Sequence, residues 1–246
     1  MIFAGPCAVE SEEQAFKIAR FVKENGATVF RAGCWKGQNR PFPNGKPAFW
    51  GLGLEALNIL EEIEASVIPC ATEVQSIEQA KLAIERRISY LQVGARHMQN
   101  FPLLQFLEKC APPDVGIILK RGLGSTVDEW IGAAEHLGGP SRVILCERGI
   151  VSFDRTQTRW RLDFVAMAYI RQYTDYRIIA DPSHGSGDKS LVPMLSRAAL
   201  QIVDGLMLEV HYDPDSSPTD ACQTIDFPTF KKIGQDYEKG RARHTE

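Results

Sequence analysis

The sequence predicts an α/β protein folded as a single (β/α)8 TIM barrel, and three observations predict it. Short apolar runs alternate with amphipathic stretches at a period of roughly thirty residues, the pattern of repeated βαβ units. Counting them gives eight strands and eight helices. The chain length of 246 residues also matches the ~250 expected of one such barrel. An open doubly wound sheet is the competing architecture. It usually has fewer strands and a glycine-rich first turn, and no G-x-G-x-x-G follows the first apolar run.

The elements follow in order. Ile2–Ala8 is apolar and short, a strand buried on both faces. Ser11–Asn25 reads as a helix with Ser11 as its N-cap and Gly26 at its end. Thr28–Trp35 is the second strand, Leu54–Glu64 the second helix and Ser66–Thr72 the third strand. Ser76–Arg87 opens with Ser76 and carries Gln79 three residues on, the spacing of a capping box. Ser89–Gly94, Phe101–Cys110 and Gly116–Lys120 come next. Thr126–Leu137 repeats the box with Thr126 and Glu129, and Gly138 follows its end. Arg142–Cys146, Leu162–Tyr173, Arg177–Ala180, Leu191–Gln201, Gly205–Val210 and Phe227–Tyr237 complete the alternation, and the polar stretch from Lys239 to Glu246 reads as a frayed end.

Composition narrows the class. The chain is 44% hydrophobic and 24% charged, with a net charge of −3 and no run of five Lys or Arg, which argues against a nucleic-acid surface. No apolar run approaches the ~20 residues of a membrane span, and the N-terminus lacks the pattern of a signal peptide. The six cysteines are widely spaced and form no C-x-x-C. A domain of this size needs no disulfide staples, so reduced thiols in a cytoplasm are expected.

In this fold, chemistry gathers at the C-terminal strand ends. There the sequence places Cys7, Arg31, Lys36, Glu73, Arg96, Lys120, Arg121, Glu147, Arg148, Asp181, His184, Glu209 and His211. Any one of these is explained as readily by a solvated loop; the whole set is not. Two subsets separate. Cys7, His184, Glu209 and Asp220 mix thiolate, imidazole and carboxylate, which suits one divalent ion such as Mn²⁺, Fe²⁺, Co²⁺ or Zn²⁺ rather than Mg²⁺ or Ca²⁺. Cys7 alone reads more naturally as a small buried hydrophobe. Arg31, Lys36, Arg96, Lys120 and Arg148 are cations that repel each other without an anion; phosphoenolpyruvate, which carries phosphate and carboxylate together, would relieve them. A Schiff-base lysine, Lys36 or Lys120, is a rival that leaves the metal-type set unexplained.

Seven motifs then resemble one family: Gly5-Pro-Cys-Ala-Val-Glu-Ser11, Arg31-Ala-Gly-Cys-Trp-Lys36, Gly94-Ala-Arg-His-Met-Gln-Asn-Phe101, Leu119-Lys-Arg-Gly122, Cys146-Glu-Arg-Gly-Ile150, Asp181-Pro-Ser-His-Gly-Ser-Gly187 and Glu209-Val-His211. In order, from Phe3 to about Tyr237, they are similar to the type I 3-deoxy-D-arabino-heptulosonate 7-phosphate (DAHP) synthases, most of all the type Iβ group, relatives of the 3-deoxy-octulosonate 8-phosphate (KDO8P) synthases. The resemblance implies that Cys7, His184, Glu209 and Asp220 are metal ligands and that Arg31, Lys36, Arg96, Lys120 and Arg148 contact phosphoenolpyruvate. It implies catalytic work for Lys36, Lys120 and His184, with Lys36 as general acid. The implied reaction joins phosphoenolpyruvate to an aldose phosphate, by default erythrose 4-phosphate, in the shikimate pathway. A single catalytic domain over residues 1–246 is expected, with neither the regulatory domain nor the chorismate mutase of some relatives. A homo-oligomer is expected on the same ground.

One departure bears on substrate. The family reads Lys-Pro-Arg-Thr where this chain has Lys36-Gly-Gln-Asn-Arg40, so Gln38 and Asn39 stand where an Arg-Thr pair grips the aldose phosphate. Losing a charged hydrogen bond costs roughly 1.5–3 kcal/mol. Arg40 could substitute, and Lys46 lies in the loop that follows. Another aldehyde, arabinose 5-phosphate or a sugar of secondary metabolism, is therefore the alternative substrate. A non-catalytic paralogue is disfavoured, since every expected ligand and cation position is filled.

Overall fold

The computed structural model describes residues 1–37, 48–154 and 158–243. Eight parallel strands close in chain order: β1 (Ile2–Gly5), β2 (Val29–Arg31), β3 (Cys70–Val74), β4 (Tyr90–Val93), β5 (Gly116–Lys120), β6 (Val143–Glu147), β7 (Arg177–Ala180) and β8 (Gly205–Glu209). The seam pairs β1 with β8, from Ile2–Leu206 to Gly5–Glu209. Gly205 is needed at its lower end, because a Cβ there would stand 2.0 Å from the Met1 carbonyl oxygen.

The strands are buried on both faces, and the faces do different things. Ile117 and Leu119, Val143 and Leu145, and Leu206 and Leu208 face outward into a large apolar cluster with helix residues such as Ile18, Leu57, Leu107 and Trp130. Each such fully buried side chain contributes ~1.5–3 kcal/mol. Phe3, Val29, Ala71, Ile118, Ile144, Cys146, Ile179 and Met207 form a separate cluster inside the barrel. Two residues beyond six of these stand Arg31, Glu73, Lys120, Arg148, Asp181 and Glu209. Side chains on a strand repeat every second residue. A strand that buries an apolar residue in the barrel therefore delivers an ionisable one to its mouth.

The outer layer comprises α1 (Glu12–Glu24), α2 (Leu54–Ser66), α3 (Ile77–Glu85), α4 (Phe101–Cys110), α5 (Val127–Glu135), α6 (Phe164–Tyr173), α8 (Val192–Ala199) and α9 (Phe227–Arg243), with a short α7 (Pro182–Ser186) above the sheet after β7. Ser11 caps α1 by accepting from the Gln14 N–H, and Thr126 with Glu129 forms a full capping box on α5. The first two strands are shorter than expected, Ile2–Gly5 and Val29–Arg31, and three further expectations change. The third strand starts at Cys70, not Ser66, because α2 extends through Ser66, whose hydroxyl donates to the Glu62 carbonyl. Ser76 caps α3, but the Gln79 side chain accepts from the N–H of Gln75 rather than Ser76, so no box closes. The tail is helical as far as Arg243.

Candidate active site

The mouth is assembled from strand ends. Cys7 follows β1 in a segment bridged, through Ala8, to Gly33. Glu209 closes β8, and Asp220 lies between β8 and α9. Ligand atoms of these three residues lie within 4.8 Å of one another, and the Cys7 thiol donates to Asp220 Oδ2 at 3.0 Å. Both Glu209 oxygens are engaged: Oε1 accepts from Arg31 Nη1 at 3.0 Å, Oε2 from Gln223 Nε2 at 2.7 Å. Asp220 has φ 53°, left-handed backbone that Asp tolerates better than most residues and that surroundings must enforce.

His184 stands at one edge of this group. It sits on α7, capped by Asp181, whose Oδ1 accepts the His184 N–H at 3.0 Å. The ring's Nε2 is 3.6 Å from Glu209 Oε1. Its Nδ1 lies 2.8 Å from Asp181 Oδ2, an ion-pair distance without hydrogen-bond alignment. Of the four expected ligands, three meet and the fourth touches Glu209.

The donor chemistry fits a divalent ion. Burial pushes the Cys7 thiol far above its usual range, and the Glu209 carboxylate pushes it further. Burial also opposes ionisation of Asp220, yet His184 and Lys36 outweigh it and hold that carboxyl at about 2. A bound cation would stabilise the thiolate and both carboxylates at once.

Cations surround this cluster. Lys36 Nζ donates to Cys7 Sγ at 2.8 Å and to the Cys7 carbonyl at 3.3 Å. Burial works to lower its pKa, but Cys7, Glu209, Glu73 and Asp220 together raise it well above the lysine norm. These neighbours favour the charged form of Lys36 over a neutral amine. Lys120 pairs with Asp181 Oδ2 at 2.7 Å, both buried. Burial opposes a charge on Asp181, but His184 and Lys120 hold it well below the carboxylate norm. Arg148 is 7% exposed, its Nη1 has no hydrogen-bond partner among the described residues, and its guanidinium lies 5.6 Å from the Trp160 ring centre. Burial lowers its pKa; Asp181 offsets this and Arg159 adds to it.

These groups open on a cavity of about 600 Å³ lined by Lys36, Glu73, Gly94, Arg96, Lys120, Arg148, Arg159, Trp160, His184, Thr219 and Asp220, among others. Gly94 makes room for Glu73, since a Cβ there would lie 2.2 Å from Glu73 Oε1. Arg31 does not line this space; its Nη1 faces Glu209 and the Pro6 carbonyl. Gln38, Asn39, Arg40 and Lys46 lie outside the described residues. Arg121 is taken up by Glu147 at 3.1 Å and Asp163 at 2.9 Å. Sequence reasoning missed Arg159, Trp160 and Thr219. For Arg159 and Trp160 the signal available was length: the connection from Arg148 to Asp163 exceeds ordinary barrel loops, and long loops carry function.

Residues 1–242 match the model of the DAHP synthetase I family. The chain is 36% identical over 242 residues to the phospho-2-dehydro-3-deoxyheptonate aldolase of Thermotoga maritima, covering 97% of this chain and 69% of that one. It is 27% identical to the 2-dehydro-3-deoxyphosphooctonate aldolase of an Azoarcus species, over 94% of this chain and 87% of the relative. The crystal structure of the Thermotoga enzyme superposes with a TM-score of 0.88 at 35% identity, over 99% of this chain and 69% of that chain. A truncated form of the Thermotoga synthase gives 0.86 at 33% identity, over 99% and 87%.

Proposed function

The chain belongs to the DAHP synthetase I family, and from that premise we propose that it joins phosphoenolpyruvate to erythrose 4-phosphate, forming DAHP and releasing phosphate. The single observation that carries the residue roles is the contact between two sets. Three acidic donors lie within 4.8 Å of one another, and Lys36, on the wall of a cation-lined cavity, touches one of them.

Cys7, Glu209 and Asp220 would hold a divalent ion, with His184 completing the set from α7. When bound, such an ion supplies Lewis acidity toward the aldehyde oxygen. Arg96, Lys120 and Arg148 grip the phosphate and carboxylate of phosphoenolpyruvate and orient its C3 toward the aldehyde carbon. A C–C bond forms between those atoms, water adds at C2, and the C2–O bond to phosphate breaks. Protonated Lys36 gives its proton to the aldehyde-derived oxygen. Arg31, bonded to Glu209, positions that carboxylate. Asp181 fixes Lys120 and His184 together.

A different aldehyde is the second reading, favoured by neutral Gln38 and Asn39 after Lys36-Gly37. The lower identity to the octulosonate enzymes, 27% against 36%, weighs against arabinose 5-phosphate. Release of phosphate from phosphoenolpyruvate, followed with Mn²⁺ and a panel of aldehydes, tests both. Turnover with erythrose 4-phosphate ahead of the others is the expected result; none with any aldehyde would sink the condensation.

Placement in the cytoplasm is part of the proposal, supported by the described cysteines all being free thiols. No helix among the described residues is long and apolar enough to cross a membrane. Self-association is proposed on the family resemblance, and light scattering on the purified protein decides it.

A further inference from the structure

We propose that Arg159 and Thr219 bind the phosphate of the incoming aldehyde, at the end of the cavity beside Asp220; this rests on the condensation reading above. Both residues line the cavity. Arg159 Nη1 stands 3.7 Å from Asp220 Oδ1 and 3.5 Å from Gln223 Oε1, both long contacts, and its side chain is 42% exposed. The guanidinium is held near the cluster without being consumed by it. Thr219 immediately precedes Asp220, is only 8% exposed, and its hydroxyl is buried with no hydrogen-bond partner among the described residues. An unmade hydrogen bond of that kind is costly and calls for a ligand oxygen.

Charge points the same way. Five cations (Lys36, Arg96, Lys120, Arg148 and Arg159) line the cavity against two carboxylates, Glu73 and Asp220. Lys36 is in close contact with Cys7 and Lys120 with Asp181. Arg148 and Arg159 both lie over the Trp160 ring, at 5.6 and 5.8 Å from its centre, and Arg159 works against the charge of Arg148. Phosphoenolpyruvate accounts for the Arg148 end. Arg159 stands next to the donors where the aldehyde oxygen has to lie, placed for a phosphate carried a few carbons from that oxygen.

The placement is built. The Arg159 N–H donates to the Ser186 carbonyl at 3.2 Å. Gly187, at φ 71°, keeps clear a space where a Cβ would sit 2.9 Å from Arg159 Cβ. A guanidinium fork with a neighbouring hydroxyl is a strong grip on a phosphate dianion. It would supply the charge that Gln38 and Asn39 lack.

The test is calorimetric titration of the Mn²⁺- and phosphoenolpyruvate-loaded enzyme with erythritol 4-phosphate, which has the phosphate but no reacting carbonyl. Arg159→Gln should weaken binding by about tenfold or more, and Thr219→Val by about threefold, as expected for a charged and a neutral hydrogen bond. Arg159→Lys should recover part of the loss. In parallel, the ratio of kcat/KM for erythrose 4-phosphate to that for unphosphorylated erythrose should fall in Arg159→Gln. Unchanged affinity for erythritol 4-phosphate in both variants overturns the proposal. So does a loss that falls on phosphoenolpyruvate instead, or one matched by an equal loss of Mn²⁺ affinity, which would place the effect in Asp220. Absence of turnover by the unaltered enzyme with every aldehyde strikes the condensation reading, whatever the variants bind.

Discussion

Cys7 is held between a cation and a carboxylate, with Lys36 Nζ at 2.8 Å and Asp220 Oδ2 at 3.0 Å. A buried thiol in a purely structural role would not need either neighbour. If the sulfur is a ligand, Cys7→Ser replaces a soft donor with a hard one and shifts preference away from Zn²⁺ and Co²⁺ toward Mn²⁺. We expect Co²⁺ affinity to fall by about tenfold or more and the thiolate-to-cobalt charge-transfer band to vanish. A Co²⁺ spectrum that keeps this band in Cys7→Ser rules the sulfur out. The same neighbours explain what the sequence could show at this scale. Residue types at strand ends were readable one by one, but the meeting of Cys7 with Asp220, 213 positions away, depends on barrel closure. For Arg159 only the length of its loop was legible, since no periodicity fixes which way a loop side chain faces.

At the scale of elements, pattern succeeded wherever one physical rule acted alone. Phe101–Cys110, Gly116–Lys120 and Arg177–Ala180 match the expected bounds, because caps and strand alternation set them locally. The Ser66 boundary failed because helix propagation beat a short β-branched run. The α7 turn around His184 was hidden because Pro and Gly read as a loop. Packing against a neighbour is likewise invisible in sequence, and α9 gives a measurable case. Gly234 lies inside this helix, where Gly→Ala ordinarily stabilises by roughly 0.5–1 kcal/mol. Here a Cβ would stand 2.2 Å from the Asn25 carbonyl oxygen, at the end of α1. Overpacking against backbone costs typically 1–3 kcal/mol, so the clash outweighs the propensity gain. Gly234→Ala should lower the urea midpoint with its slope unchanged; a raised midpoint would show that α9 can shift away from α1.

For the whole molecule, the position of the metal-type donors matters more than their identity. Cys7 follows β1, Glu209 ends β8 and Asp220 comes after it, so the donors straddle the seam where the first and last strands close the barrel. An ion there would tie together parts of the chain that are distant in sequence and adjacent only when folded. Binding that favours the native state adds RT ln(1 + [L]/Kd), about 2.7 kcal/mol at a hundredfold excess over Kd. For a domain of this size each kcal/mol moves the midpoint by roughly 2–4 °C, so saturating Mn²⁺ should raise Tm by ~5–10 °C. Chelation should reverse it, and Cys7→Ala should shrink the increment. Ions that also bind cysteines of the unfolded chain, Zn²⁺ above all, should give less than their affinity implies. Phosphoenolpyruvate added after the metal should raise Tm again, since Arg159 works against the charge of buried Arg148 until an anion arrives. A midpoint that ignores both metal and chelator would mean the seam holds no ion, and the acidic cluster would then need another explanation for lying among buried cations.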